Sequence, residues 1–366
     1  MPILGVCGDT HKDRPNALPH VIDELVRRGV ELFVHTGDIA IRHVDPKLFR
    51  GIPVVCALVK EQADKPEFQE EPPGWKFTRP GQRIHQLSNG ERIYVGHALS
   101  FEFLTGSEAM LTKKLHEIRK DHDGVRWLFS GHTHHQIYKQ GHVINFVNPG
   151  AVEDSFDGYE FAVVNTDNGE IVFSRIPTTK PVKPTFSVGV MSDSLNISEM
   201  DPTFWSKLAE EFRRRDVREI IHCGNIAVSD IGRPELAGFK VHFNLRADQK
   251  IEQSHEGWHQ ILADNPVVEI NGYKFYVQLD LGIDLLEKSE VDMHMLCLNL
   301  RRKHPEISFV LCGLTNYAFM EEGQEVRIIN PGDSLKDRDF AVICLPRTEI
   351  TFGHVPTDPL PTLSGT

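Results

Sequence analysis

The chain has 366 residues, 40% hydrophobic and 25% charged, with a formal net charge of −12 and a pI near 5.9. That length exceeds one ordinary domain and suits two, and the composition is that of a globular protein rather than a disordered or fibrous one. No run approaches the ~20 apolar residues of a membrane span, and no basic segment precedes a long apolar run as in a secretory signal. The acidic balance argues against long polyanions such as nucleic acid, but not against a small phosphate ester. In chain order, residues 3–7 read as a core strand. Residues 15–28 read as a helix, with Leu18, Val21, Ile22, Leu25 and Val26 at helical spacing and Gly29 as its stop. A buried strand at 30–34 leads to the Gly37-Asp38 turn, and another spans 52–58. Residues 63–86, rich in Pro, Glu and aromatics, read as a long loop, either a flap over a site or an interaction surface. A strand at 93–95, a helix at 107–120 and a strand at 125–129 follow, then strand-rich segments. The pattern predicts α/β layers around a mixed sheet.

The chain then repeats itself. Ile3-Leu4-Gly5-Val6-Cys7-Gly8-Asp9 returns as the run ending in Val188-Gly189-Val190-Met191-Ser192-Asp193, and His35-Thr36-Gly37-Asp38 as His222-Cys223-Gly224-Asn225. Asn89-Gly90 with its following strand returns at Asn271-Gly272. Asn148-Pro149-Gly150 returns at Asn330-Pro331-Gly332, and Phe161-Ala162-Val163-Val164 as Phe340-Ala341-Val342-Ile343. The order is kept at an offset of about 180 residues, which predicts a tandem duplication. The expected organisation is a first domain at 1–177, a stiff Pro-rich linker at 178–185, a second domain at 186–356 and a loose tail at 357–366. Cys7, Cys56, Cys223, Cys297, Cys312 and Cys344 form no C-x-x-C pair and lie mostly in apolar runs. They are expected to be buried and reduced, as in a cytoplasmic protein.

Four signals in the first half belong together: Asp9-Thr10-His11, Gly37-Asp38, His97, and Gly131-His132-Thr133-His134. Each follows a predicted strand, the end where ligands collect in open α/β sheets. Carboxylates and imidazoles suit Mn, Fe, Ni or Zn, and an Asp can bridge two ions. Any one of these motifs alone says little, but all four in this order predict a metal site. In the second half the matched positions carry Leu195, Asn225, Leu279, Leu314 and Asn316, and only Asp193 survives. Leucine cannot coordinate a metal, so the second half reads as a pseudo-domain kept for its fold.

The set Asp9-Thr10-His11, Gly37-Asp38, His97, Gly131-His132-Thr133-His134 and Asn148-Pro149-Gly150 resembles the calcineurin-like metallophosphoesterase superfamily, closest to its small prokaryotic phosphodiesterase branch. The resemblance covers 1–177, with a degenerate version over 186–356. It implies two tandem four-layer α/β/β/α sandwiches. It also implies one or two divalent ions held by Asp9, His11, Asp38, His97, His132 and His134, with Asp38 bridging and Asp38 and His97 catalytic. The implied reaction is hydrolysis of a phosphate ester, foremost a phosphodiester, by a metal-activated hydroxide. The family's G-N-x-D is missing: Val59-Lys60-Glu61-Gln62 stands there, so Lys60 or Glu61 would substitute at the second metal position, unless both are solvated turn residues. One retromer subunit of the same fold works as a scaffold. The alternative expectation is therefore a catalytically weakened binding protein, with a protein partner or a second copy docked through the second domain.

Overall fold

The computed structural model describes residues 2–11, 17–41, 44–98, 108–141, 144–152, 158–177, 185–246, 248–251, 253–281, 290–313, 317–322 and 326–357. The expected linker, except Thr185, and the tail beyond Thr357 lie outside them, as do Leu314 and Asn316. In the first half the elements run β1 (Ile3–Cys7), α1 (Ala17–Arg27), β2 (Leu32–His35), β3 (Val54–Ala57), α2 (Lys60–Ala63), β4 (Trp75–Thr78) and β5 (Ile84–Gln86). They continue through β6 (Arg92–Val95), α3 (Glu108–Asp121), β7 (Val125–Phe129), β8 (Gln136–Lys139), β9 (Asn145–Pro149), β10 (Gly158–Asn165) and β11 (Ile171–Pro177). The second half begins with β12 (Phe186–Met191), α4 (Ile197–Met200), α5 (Phe204–Arg214), β13 (Val217–His222), β14 (Lys240–Asn244), β15 (Trp258–Ile261) and β16 (Val267–Ile270). It ends with β17 (Tyr273–Gln278), α6 (Glu290–Lys303), β18 (Ile307–Cys312), β19 (Phe319–Glu322), β20 (Arg327–Asn330), β21 (Asp339–Leu345) and β22 (Glu349–His354).

The strands form two large mixed sheets. The first runs β15-β14-β13-β12-β21-β22-β11-β10-β1-β2-β3-β4, the second β16-β17-β18-β20-β19-β8-β9-β7-β6-β5. Within the first, β1 to β4 are parallel while β10 and β11 return antiparallel. Alternation within the strands explains the layering. Leu4, Val6, Val34, Val55 and Ala57 face the second sheet's Ile93, Val95, Trp127, Phe129 and Val147 in one central core. The intervening Cys7, Phe33, Val54 and Cys56 face the other way, onto Leu18, Val21, Ile22 and Leu25 of α1. Leu115 and Ile118 of α3 cover the outer face of the second sheet at Val125, Leu128 and Phe146. The second half repeats this, with α5 on the first sheet and α6 on the second. The layers are therefore helix, sheet, sheet, helix. Strands buried on both faces need apolar residues at every position, which is why these read as continuous apolar runs.

Both sheets cross from one half to the other. β11 pairs antiparallel with β22, Val172 opposite Thr351, and β8 pairs antiparallel with β19, Tyr138 opposite Met320. Reading outward from either junction, the strand order is the same on both sides. The junction carries matched ion pairs. Arg28 reaches Glu349 at 2.6 Å with its guanidinium over Phe161, while Arg215 pairs with Glu170 with its guanidinium over Phe340. No helix among the described residues is long and apolar enough to cross a membrane. Five cysteines are buried and Cys344 is half-buried, all as free thiols. Residues 63–86 are not one long loop: β4 extends the first sheet, β5 the second, and Phe68, Trp75 and Phe77 are buried in the core. The loop reading failed because these strands are three and four residues long, too short for alternation to be seen among the prolines and glutamates.

Candidate metal centre

All the candidate ligands sit just past the C-terminal ends of strands: Asp9 and His11 after β1, Asp38 after β2, His97 after β6, and His132 and His134 after β7. The chain turns sharply there to aim side chains inward. Asp9, His11, Asp38, His132 and His134 all have positive φ, at 50°, 30°, 54°, 76° and 60°. Such conformations cost on the order of 1 kcal/mol or more each for non-glycine residues and concentrate at functional sites. Gly37, at φ +113°, lets the β2 turn approach His97: a Cβ on it would lie 2.5 Å from His97 Cβ.

Two groups of donors lie close enough to share an ion, Asp9-His11-His134 and Asp9-Asp38-His97, each with its ligand atoms within 4.8 Å of one another. His134 Nε2 stands 3.5 Å from Asp9 Oδ1 and 3.4 Å from His11 Nε2, and His11 Nδ1 stands 3.0 Å from Asp38 Oδ2. Two ligands each about 2.1 Å from one ion are separated by roughly 3.0–3.5 Å, so the spacing fits. His97 Nδ1 donates to the Thr36 carbonyl at 3.1 Å, which leaves the lone pair on Nε2, 3.3 Å from His132 Nδ1. A ring nitrogen held by a carbonyl while the other stays basic is the arrangement metal-binding histidines need.

The donor set has an orphan at its centre. Asp9 is fully buried, and its Oδ2 accepts the His132 backbone N–H at 3.1 Å, but Oδ1 has no hydrogen-bond partner. A buried carboxylate oxygen left this way is costly unless something cationic meets it. Burial pushes the Asp9 pKa up, but the approach of His134, the charge of His97 and the His132 N–H outweigh it and hold the carboxyl below its usual value. Burial keeps His97 below its usual pKa and hence neutral, the ligand form, although Asp9 and Asp38 oppose this. The residues therefore fit a divalent ion.

Supporting residues complete the site. Asn148 donates from Nδ2 to the Gly131 carbonyl at 3.2 Å and to Thr133 Oγ1 at 2.9 Å, clamping the loop that carries His132 and His134. Its own Oδ1 accepts the Gly150 N–H at 3.1 Å. The sequence reading missed His35. It is fully buried, its Nδ1 accepts the Gly37 N–H at 3.2 Å and its Nε2 lies 3.3 Å from Thr10 Oγ1, so it ties the two ligand turns together. The signal was present: this histidine recurs as His222, which makes the same bonds to Gly224 and Ser194. His135 is half-buried beside the ligands.

A cavity of about 810 Å³ opens on His11, Asp38, His97 and His132. Lys60 and Glu61 line it, both exposed, but Glu61 belongs to neither metal-sized group found among the described residues. The segment is a turn of helix, α2, and its buried Gln62 donates to the carbonyl of Ile39, next to Asp38, at 3.2 Å.

At the matching place in the second half, the Asp193 carboxylate is already satisfied. Asn225 donates to Asp193 Oδ1 at 3.0 Å and Ser192 donates to Oδ2 at 2.9 Å. Leu279 packs against Gly224 and Gly313 where His97 stands in the first half. The neutral amide does for Asp193 what a cation would do for Asp9. Asp193 and Asn225 nevertheless keep φ near 52° and 61°, the strained geometry of their counterparts.

Residues 3–169 match the calcineurin-like phosphoesterase superfamily domain. Among solved structures, an archaeal phosphodiesterase is 18% identical with a TM-score of 0.32, over 46% of this chain and 98% of that one. Yfce, a phosphoesterase from E. coli, is 18% identical with a TM-score of 0.30, over 48% and 92%. Zinc-complexed Vps29 from Entamoeba histolytica is 18% identical with a TM-score of 0.32, over 49% and 93%. A search of curated proteins finds no match.

Proposed function

Residues 3–169 belong to the calcineurin-like phosphoesterase superfamily, and from that premise we propose that the chain is a metal-dependent phosphodiesterase whose chemistry lies in its first half. The observation that carries this reading is the buried Asp9 Oδ1, which accepts no hydrogen bond and is faced by His134 and His97, with His11 and Asp38 completing the two donor groups. A bound divalent ion, or a pair, supplies the Lewis acidity that polarises a phosphoryl group and makes a water nucleophilic. Asp9, His11, Asp38 and His134 would hold one ion, and His97 and His132 would help hold a second beside Asp38. In the reaction the water oxygen bonds to phosphorus as the ester P–O bond breaks, and the leaving alkoxide takes up a proton. His97, its Nδ1 proton held by the Thr36 carbonyl at 3.1 Å, keeps the Nε2 lone pair available to that second ion. The ion is assigned among Mn, Fe, Ni and Zn on donor type.

We further propose a tandem duplication, with domains at 1–177 and 186–356. It is supported by the sequence repeat and by the identical strand order on either side of the junction. In this reading the second copy, with Asn225 and Leu279 in place of ligands, acts as the built-in partner of the first. The buried thiols suit a reducing compartment, and we place the protein in the cytoplasm.

The test is hydrolysis of bis(p-nitrophenyl) phosphate with added Mn²⁺, comparing the wild type with Asp38→Asn. We expect turnover that falls at least ~100-fold in the variant, about 2.7 kcal/mol of transition-state stabilisation. A wild type inactive with each of the four metals would instead favour the scaffold reading, for which Lys60 at the expected Asn position is the motivating departure.

A further inference from the structure

We propose that the natural substrate carries a second phosphate beside the one that is cleaved, and that Lys60, Lys65 and Arg83 bind this second group on the cavity wall. The inference rests on the phosphoesterase reading and adds to it a substrate class: small diphosphate- or bisphosphate-bearing esters.

Charge is the first argument. The chain carries 52 acidic and 40 basic residues, yet the charged residues lining the cavity outside the donor set are three cations and one acid, Glu61. A simple phosphodiester brings one negative charge, which the metal centre meets. Three further cations on the same wall are in excess of what it needs. With Glu61 counted, the wall carries a net charge of about +2, which a second, terminal phosphate group of about −1.5 to −2 at neutral pH balances.

Placement is the second argument. Asp38 lies three residues beyond His35, and Val59 three beyond Cys56, its register partner on the adjacent parallel strand. Lys60 therefore follows the strand end next to the one that delivers Asp38. The Gln62 bond to the Ile39 carbonyl locks that turn in place. Arg83 is half-buried and anchored to two strand ends at once. Its Nη1 donates to the Leu58 carbonyl at 3.0 Å, and its own carbonyl accepts the Val95 N–H at 2.8 Å, two residues before His97. A guanidinium fixed in this way keeps donors in a fork that suits a phosphate. A volume of about 810 Å³ holds a nucleotide-sized ligand, while the overall charge disfavours a polymer.

The first test is calorimetric binding of inorganic pyrophosphate and orthophosphate to the full chain stripped of metal, with wild type, Arg83→Gln and Lys65→Gln. We expect pyrophosphate to bind at least tenfold tighter than orthophosphate, and each variant to lose most of that preference. Circular dichroism confirms that the variants are folded, and the exposed Lys65 provides the check if Arg83→Gln is not. Equal binding of the two anions, or variants that match the wild type, overturns the inference. The second test uses the Mn²⁺-loaded protein: Arg83→Gln should raise KM for a dinucleotide bearing a terminal 5′-phosphate about tenfold with kcat held, the mark of lost uniform binding. Hydrolysis of bis(p-nitrophenyl) phosphate by the wild type, with KM for the phosphorylated substrate the same in wild type and Arg83→Gln, refutes the second-phosphate site alone. Wild type that hydrolyses neither substrate refutes the phosphoesterase reading, while the metal-free titration still decides the anion site.

Discussion

Asp9 and Asp193 hold matched positions but differ in how their carboxylate oxygens are met: Asp9 Oδ1 accepts no hydrogen bond and faces His134 Nε2 at 3.5 Å and His97 Nδ1 at 3.8 Å. In the second half, Asp193 has both oxygens met by Asn225 and Ser192, and the buried oxygen left without a hydrogen bond is the neutral amide Oδ1 of Asn225, not a carboxylate. Replacing Asp9 by Asn should therefore abolish tight Mn²⁺ binding, read by calorimetry, while Asp193→Asn leaves Mn²⁺ binding unchanged. The two buried histidines make a separate prediction about pH. Burial lowers His35 to about 4 and His222 to about 3, against 6.5 in the unfolded chain. The unfolded state then binds protons that the native state refuses, so stability is full above pH 6.5 and falls as pH drops toward 4. Each residue contributes on the order of a few kcal/mol to that slope. Urea melts should show the midpoint falling as pH is lowered from 7 to 4, and His222→Gln should flatten the curve. A midpoint equally steep in the variant would contradict the assignment.

The elements act here as mounts for turns. Each ligand sits within a few residues of a parallel strand's end, and the strands themselves are held by the two-sided apolar packing that makes them rigid. The loop after β7 depends on Asn148, the last residue but one of β9. Losing its amide frees two acceptors, each worth about 1 kcal/mol when buried. Asn148→Ala should destabilise the fold by ~1–3 kcal/mol and weaken Mn²⁺ affinity about tenfold or more. Asn330, the last residue of β20, makes the matching bonds to Gly313 and Gly332. Asn330→Ala should cost similar stability in chemical denaturation yet leave metal affinity intact. Equal metal affinity in both variants would show that the clamp does not position the ligands.

At the scale of the whole molecule, the two halves share one core. Tyr138 packs on Phe173 of its own half and, at 4.9 Å between ring centroids, on Phe352 of the other. Glu160, buried behind the Asn148-Pro149-Gly150 turn, pairs with Arg175 and lies 3.8 Å from Arg327 of the second half. A Cβ on Gly150 would collide with Glu160 Oε2 at 2.1 Å, so this carboxylate sets the position of the turn that supports the metal loop. Cutting the chain after residue 177 would expose β8 and β11 as open edges with Tyr138 and Phe173 uncovered. Such edges recruit other strands. The fragment should aggregate or dimerise, as read by size-exclusion chromatography with light scattering. A monomeric, fully active fragment would show that the second half is dispensable.

The residues themselves carried the α/β class, the α1 and α3 helices to within a residue or two where described, the strand ends and the six candidate ligands. Local signals suffice for these: apolar runs for strands buried on both faces, helical spacing for Leu18 to Leu25, and His and Asp placed just past the strands. The repeat also places Leu195, Asn225, Leu279, Leu314 and Asn316 where the first half has its candidate ligands, and leucine offers no donor atom. Three things waited for the tertiary structure. The merging of the halves into two continuous sheets depends on β8 meeting β19 and β11 meeting β22, pairings about 180 residues apart that leave no local trace. The cationic wall depends on Lys60, Lys65 and Arg83 being brought to one cavity from three points along a stretch that reads as loop. The need of Asp9 for a cation depends on which polar groups are within reach of one oxygen, and only packing in three dimensions decides that.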